Sequence, residues 1–560
     1  MSIVVKKAKN QIIEAIDKAF MTAIEKGLLP EGEHAPIAIE VPADPSHGEY
    51  SSNAAMASAR VFRLPPVKIA QAVKDCLVTE GTYIESCETA GPGFLNFRLN
   101  ADYYSDILKD IEEKKENYGH SDMGLGQSVL VEFVSANPTG PMHIGNARGG
   151  ALGDVLSEIL SWAGYRTERE FYVNDAGNQI EKFALSLDVR YRQLFDPSVE
   201  MPEDSYHGQD IIDHAKAFYA EYGDRYLNSP EEERRKALVA FALPKNIAAL
   251  EADLLKYRIK YDNWFLESTL HKNGAVERVL KLLKQSGNTY EKDGALWLMA
   301  EKFGCEKDFV LIRSNGIPTY IVPDIAYHYN KLVERGFDRA INILGADHHG
   351  YVPRLKATIQ ALGIDPERLI VILMQMVRLV RGGEVIKASK RSGKAITLVT
   401  LLDEVPIDAA RFFFNLREAN THLDFDLDLA VENSSKNPVY YCQYAHARIC
   451  SIIKRVGARA EEIKTEPKFE LLNAPEERAL IKHIASLTEE IEAAAKDLDP
   501  SRITKYAIDL ATAFHKFYNS SRVDVDDPEL FKARLTLCIA VRDIMKNVLS
   551  MLKVDAPEVM

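Results

Sequence analysis

The chain has 560 residues, 46% hydrophobic and 27% charged, an ordinary globular balance and enough length for about three or four domains. Its formal net charge of −13 argues against a dedicated DNA-binding protein, although a basic groove can sit on an acidic body. No apolar run approaches the ~20 residues that span a bilayer, the N-terminus lacks a signal-peptide pattern, and the six scattered cysteines show no Cys-x-x-Cys spacing, so a cytoplasmic chain without zinc site or disulfide framework is expected.

Residues 1–115 read as a separate α+β module. A helix over about 5–26 precedes a strand-like run at 37–43 and a polar turn at 46–52. A second helix is entered at Pro65-Pro66, and a hairpin over 83–99 turns at Gly91-Pro92-Gly93. From about 116 to 405 strands and helices alternate, as in a doubly wound parallel sheet, with strand candidates at 128–134, 167–173, 309–314, 339–346 and 368–376. The stretch of about 180–295 is charge-rich and reads as a helical insertion. Residues 406–560 are helical in period, punctuated by Pro438, Pro475 and Pro500, and read as an α-helical bundle. Within them the run Asp424-Phe425-Asp426-Leu427-Asp428 reads as a solvated turn.

The chemistry concentrates where the apolar run Val129–Val134 feeds the loop Asn137-Pro138-Thr139-Gly140-Pro141 and then His143-Ile144-Gly145-Asn146 at a helix start. Unpaired N–H groups and the positive end of the helix dipole make such a junction an anion site. His143 can hydrogen-bond a phosphate there, and Gly145 lets a flat ring approach the backbone. After the Gly382-Gly383 turn, Lys387, Ser389 and Lys390 share a basic loop that could clamp phosphates or simply be solvated. The turn Gly345-Ala346-Asp347-His348-His349-Gly350 ends a strand; it could meet a ligand, cap the strand or ligate a metal.

Tyr320 and Asp324 fall at the start of a helix that Thr319 could cap, with Pro323 in the first turn. By themselves they can serve as a helix cap and a core-edge tyrosine. Tyr440, Tyr441, Gln443, Tyr444, His446 and Arg448 cluster on one helix, as core aromatics or as a base-stacking face.

The block Val131–Asn146 resembles the first signature of class I aminoacyl-tRNA synthetases, His-Ile-Gly-His, in its arginyl version. Asn146 stands for the final histidine, and asparagine can donate a hydrogen bond but never carries positive charge. Lys387–Gly393 resembles the second signature, Lys-Met-Ser-Lys-Ser, with Ala388 and Arg391 as departures. The resemblance extends over essentially the full chain, including the ending Ala556–Met560. It implies a Rossmann-like α/β catalytic domain at 116–405, an N-terminal α+β domain at 1–115 that meets the tRNA elbow, and a C-terminal α-helical anticodon-binding domain at 406–560.

The implied activity is arginine–tRNA ligation, with ATP and Mg2+ as substrate complex, L-arginine and tRNA(Arg) as partners, no zinc, no DNA, no membrane, and a monomeric chain. His143, Asn146, Lys387 and Lys390 are then the catalytic residues. ATP would be held by these with Gly145, Gly345, Asp347, His348 and Ser389. Arginine would be read by Glu132, Ser135, Asn137, Tyr320 and Asp324, and tRNA touched by Tyr441, Tyr444 and Arg448. Pyrophosphate exchange is expected to be weak without tRNA. The rival readings are a class I synthetase for another amino acid, a non-catalytic synthetase-like tRNA-binding or regulatory protein, and a small-molecule adenylyltransferase, which would not need the helical bundle. A cysteine enzyme would want zinc-ligating cysteines, and a glutamate enzyme a basic pocket.

Overall fold

The structure is a computed structural model that describes residues 2–42, 44–386 and 396–560. Lys387, Ser389 and Lys390 therefore lie outside the described residues.

In the N-terminal part, β1 (Tyr50–Ser52), β2 (Ile84–Ala90) and β3 (Phe94–Leu99) form an antiparallel sheet of order β1-β3-β2. The helix Ile3–Glu25 packs chiefly on the helix Pro66–Cys76, burying one apolar stripe that includes Val5, Ile12, Ile16 and Phe20. The expected strand at 37–43 does not form: Glu40 makes only an isolated bridge to Ser51. The expected polar turn at 46–52 instead contains β1, because Tyr50 is buried and pairs with Phe97.

The central sheet holds β4 (Ser128–Glu132), β5 (Arg166–Val173) and β6 (Asn263–Leu266). Next in the chain come β7 (Thr289–Lys292), β8 (Ala295–Leu298) and β9 (Phe309–Ile312), which form a separate antiparallel sheet. Then β10 (Arg339–Gly345) and β11 (Leu369–Met374) return to the central sheet, whose order is β11-β10-β4-β5-β6, parallel throughout. Two expectations are corrected here. The run at 309–314 is a strand but not of the parallel sheet, and the region of about 180–295 is not wholly helical, since it supplies the edge strand β6. The helices of that region, Asn178–Gln193, Gln209–Tyr222 and Glu231–Lys256, pack around a small core of their own.

The chain leaves β4 toward β5 and later returns to β10 on the other side of β4. This reversal opens a crevice at the carboxyl ends of β4 and β10. The two faces of the sheet differ in what they bury. Val129, Val131 and Phe133 join the core that also contains Ala151, Val155 and Ile159 of the helix Ile144–Trp162. A Cβ on Gly153 would lie 2.1 Å from Phe133 Cγ, so only glycine allows this approach. The opposite face carries Glu132 and Glu170 beneath the helix Ile321–Tyr329, which continues as a π turn over Asn330–Glu334.

A final sheet joins β12 (Val377–Arg381), β13 (Glu384–Val385) and β14 (Leu423–Asp426). The run read as a solvated turn is thus β14, paired parallel with β12 and followed by a short helix that Asp426 caps. Beyond it lie the helices Pro438–Glu462, Pro475–Ala485, Leu487–Asp497, Ser501–Ser520 and Pro528–Met551.

Buried ion pairs tie these parts together. Arg411 is fully buried; it donates to Asp154 Oδ2 at 2.6 Å, to Tyr257 O at 2.9 Å and to Leu552 O at 3.1 Å. Asp154 also accepts from Arg169 Nε at 2.9 Å. One side-chain cluster therefore joins the Ile144–Trp162 helix, β5, the end of the helical insertion and the C-terminal helices.

Candidate active site

Just past β4 the backbone turns sharply. Val134 and Ser135 have φ of 68° and 41°, a left-handed conformation that costs a β-branched residue on the order of 1–3 kcal/mol. The turn is held by Ser135 Oγ, which donates to Glu132 Oε1 at 3.1 Å and accepts from Tyr172 N at 3.1 Å. Tyr261 adds its hydroxyl to Phe133 O at 3.0 Å. Asn246, from the helical insertion, donates to Pro138 O at 2.9 Å, while Asn137 stays exposed beside it.

His143 is the N-cap of the helix Ile144–Trp162 and is exposed. Its N–H donates to Asn146 Oδ1 at 3.1 Å, the reciprocal half of a capping box. Asn146 therefore has a structural role. Its carbonyl oxygen holds the cap, and its NH2 is the end left to donate outward. A Cβ on Gly145 would meet only the His143 ring, at 3.1–3.2 Å. The signature loop is also paired with the chain that follows residues 387–395. Leu398 N donates to Met142 O at 2.9 Å and Ile144 N to Ile396 O at 3.3 Å. On the other flank, Ile386 N donates to Leu379 O at 2.8 Å.

On the opposite face of the sheet lies an acidic cluster. Glu132 is buried, and its Oε2 accepts from Lys331 Nζ at 2.5 Å. Asp324 accepts a short hydrogen bond from the Tyr351 hydroxyl. Burial pushes its carboxyl up to about 6; Tyr351 opposes the rise, and the negative charges of Glu132 and Glu267 add to it. Burial likewise raises Glu267, with Tyr172 and His271 pulling it down. Tyr172 is itself held strongly protonated by burial and by Glu267, Asp324 and Glu132. Three carboxylates and two tyrosines so enclosed suit a cation with several planar donors.

The cluster rests on a polar row across the sheet. Asn342, Glu132, Glu170 and Asn263 are partners in register on β10, β4, β5 and β6, and so share one face. Lys331 donates to Asn342 Oδ1 at 3.2 Å, and Asn342 Nδ2 meets His328 Nε2 at 2.8 Å. Burial drives His328 down to about 3, so it is neutral. Tyr327 and Arg335 both bond Glu170.

Among the expected site residues, Glu132, Ser135 and Asp324 come together at this end of the sheet. Tyr320 is 66% exposed, and its ring lies 6.0 Å from that of Tyr351, which thereby touches both Tyr320 and Asp324. Thr319 does not cap the helix: Tyr320 is the N-cap residue, and Thr319 Oγ1 donates back to Val310 O at 2.9 Å. Gly345 ends β10, followed by the exposed pair Asp347 and His348, whose Oδ1 and Nδ1 are 3.2 Å apart. Sequence reasoning missed Tyr351, Glu267 and Lys331. The spacing of Tyr327, Lys331 and Arg335, four residues apart along one helix, was the one available signal.

On the helical part, the rings of Tyr440 and Tyr444 stack at 6.3 Å, and Tyr441 and Tyr444 both pack on His515. Arg448 donates to the Tyr444 hydroxyl at 2.9 Å and lies 4.4 Å above the Tyr518 ring. The three tyrosines and Arg448 line an open cleft of about 500 Å³. A neighbouring cleft of about 920 Å³ is walled by Arg448, Lys454, Arg455, Arg542 and Lys546.

A parallel sheet with its crevice at the switch point, a capped helix N-terminus after the first strand and a helical C-terminal part define a class I aminoacyl-tRNA synthetase. The family model for tRNA synthetases class I (R), catalytic domain, matches residues 108–451; the arginyl tRNA synthetase N terminal domain matches 6–99, and the DALR anticodon binding domain 442–560. The chain is 52% identical over 561 residues to an arginine–tRNA ligase from Caldanaerobacter subterraneus subsp. tengcongensis, covering 100% of both chains. It is 50% identical over 564 residues to one from Acetivibrio thermocellus, again covering 100% of both. The solved Thermus thermophilus arginyl-tRNA synthetase shares the fold, with a TM-score of 0.75 at 23% identity, over 98% of this chain and 100% of that one. The chain belongs to the arginyl-tRNA synthetase family. Neither the reading as a non-catalytic relative nor that as a synthetase for another amino acid gains support.

Proposed function

We propose that this chain activates arginine with Mg–ATP to arginyl-adenylate and pyrophosphate, and transfers the arginyl group to the 3′ end of tRNA(Arg). In the first step an arginine carboxylate oxygen bonds to the α-phosphorus and pyrophosphate leaves. In the second a terminal ribose hydroxyl of tRNA attacks the carbonyl and AMP leaves. The chemistry needs positioning and charge neutralisation more than covalent help from the protein.

The observation that carries this reading is the enclosed meeting of Asp324, Glu132 and Glu267 at the carboxyl end of β4. A guanidinium satisfies such a cluster, and an uncharged isostere would leave its carboxylates unpaired. We assign Glu132, Asp324 and Tyr320 to the guanidinium side and Ser135 and Asn137 to the amino and carboxylate groups. His143, Gly145 and Asn146 go to the phosphates, and Gly345, Asp347 and His348 to the nucleoside. Lys387, Ser389 and Lys390 receive the departing pyrophosphate. Tyr441, Tyr444 and Arg448 form a stacking and phosphate contact for tRNA. We take the chain to act as a monomer in the cytoplasm. Among the described residues no helix is long and apolar enough to cross a membrane.

The test is to charge total tRNA with each radiolabelled amino acid in turn. Arginine is expected at the tRNA 3′ end; transfer of a different amino acid would overturn the specificity.

A further inference from the structure

The polar row beneath the acidic cluster contains a cation that the proposed reaction does not use. Lys331 is fully buried. Its ammonium is caged on three sides, by Glu132 Oε2 at 2.5 Å, by Asn342 Oδ1 at 3.2 Å and by the Tyr327 ring, whose centroid is 3.9 Å away. An ammonium so held cannot swing into solvent.

We infer that Lys331 is a built-in counter-ion for Glu132, a positioning residue that removes one negative charge from the acidic cluster that the guanidinium enters. The inference rests on the assignment of Glu132 and Asp324 to arginine. Three carboxylates converge where the substrate side chain brings one positive charge. An uncompensated excess would be relieved by taking up protons, and each proton would compete with the substrate. With Lys331 in place, Glu132 is already balanced. Its two oxygens are also fixed in orientation, Oε2 by Lys331 and Oε1 by the Ser135 hydroxyl. The lone pairs that remain are then aimed, rather than free to rotate.

Asp324 reports on this balance. It faces Tyr351, Glu132 on β4, Glu267 beyond β6, and Lys331 on its own helix; Tyr172 on β5 touches the same charges. Lys331 pulls its proton affinity down, whereas Glu132 and Glu267 push it up. Removing Lys331 should therefore raise the pH at which protonation begins to exclude arginine. Removing the Glu132 charge should lower it.

The experiment measures the arginine KM for tRNA charging by the full-length chain, between about pH 5 and about pH 8. In the wild type KM should climb as the pH falls through about 6. In Lys331→Met the bend should move to higher pH by about one unit, a tenfold gain in proton affinity. In Glu132→Gln it should move to lower pH, and this variant carries the test if Lys331→Met does not fold. An unmoved bend in either variant, with KM raised equally at every pH, makes Lys331 a packing residue and overturns the inference. If the wild type charges no arginine at all, the proposed function fails and takes this inference with it; an unmoved bend in an active wild-type background removes the Lys331 inference alone.

Discussion

His143 and Thr397 face each other in an antiparallel bridge. The bridge joins the start of the helix Ile144–Trp162 to the chain that follows residue 395, and the backbone hydrogen bonds Leu398 N to Met142 O and Ile144 N to Ile396 O flank it. Two residues about 250 positions apart in sequence are thereby neighbours.

Gly145→Ala separates activity from stability at this junction. The new methyl meets the His143 ring at 3.1–3.2 Å and displaces it, since nothing else lies within reach. Alanine gains up to about 1 kcal/mol over glycine as a helix former. The expected result is a melting temperature equal to or above wild type, with kcat for pyrophosphate exchange in the presence of tRNA reduced at least about tenfold. Stopped activity with a lowered melting temperature would point to misfolding instead.

Asp324→Asn tests the cost of a buried charge. A carboxyl raised to about 6 binds its proton more tightly in the folded than in the unfolded state. Stability from this group is thus gained as pH falls through about 6 and is complete only below its unfolded pKa, near 4. At neutral pH the ionised group costs roughly 2–4 kcal/mol, which asparagine removes while still accepting from Tyr351. Denaturant unfolding should find the variant more stable at neutral pH, with the difference shrinking toward about pH 5.

Tyr351→Phe should act on Asp324 from the other side. The phenolic hydrogen bond lowers the carboxyl's proton affinity, so its loss raises that affinity and leaves a buried acceptor less satisfied. The arginine KM is expected to rise about fivefold to tenfold at neutral pH and more steeply in mild acid, with little change in kcat at saturating arginine. A pure kcat effect would place Tyr351 elsewhere in the reaction.

Arg411→Met breaks the buried pair with Asp154 and leaves that carboxylate with Arg169 alone. A fully stranded buried charge costs about 3–5 kcal/mol, and with Arg169 still paired the expected loss lies below that. Asp154→Asn in the same background should recover part of the loss, a coupling that a double-mutant cycle in urea measures directly.

Arg448→Ala should weaken tRNA binding across sequences and reduce the salt slope of binding by about one, the mark of a lost phosphate contact. A filter-binding slope equal to wild type would assign Arg448 to packing between Tyr444 and Tyr518.

Local pattern carried the strand, loop and helix around His143, the hairpin of β2 and β3, and the long helices after Pro438, because each is fixed by period and turn chemistry within a few neighbouring residues. It failed where identity depends on a distant partner. The segment of β6 spans only Asn263–Leu266 and is a strand because β5 offers it an edge. The run at 309–314 has strand character, but nothing local says which sheet it joins. The site divides the same way. Glu132 and Asp324 sit beside recognisable signatures, while Tyr351, Glu267 and Lys331 gather around them from separate elements. Arg148 is the extreme case. It looks like a solvated residue of a helix, yet it is fully buried, donates to Gln375 O, Glu418 O and Thr421 O, and is pushed down to about 10 by desolvation.

The most direct measurement compares kcat/KM for tRNA charging with arginine and with citrulline, its uncharged isostere, in wild type and Asp324→Asn. Wild type is expected to prefer arginine by at least about 10⁴, and the variant to lose most of that preference by losing arginine. Charging of arginine by Asp324→Asn at the wild-type rate, or equal use of citrulline by the wild type, would contradict a specificity built on the carboxylates of Asp324, Glu132 and Glu267.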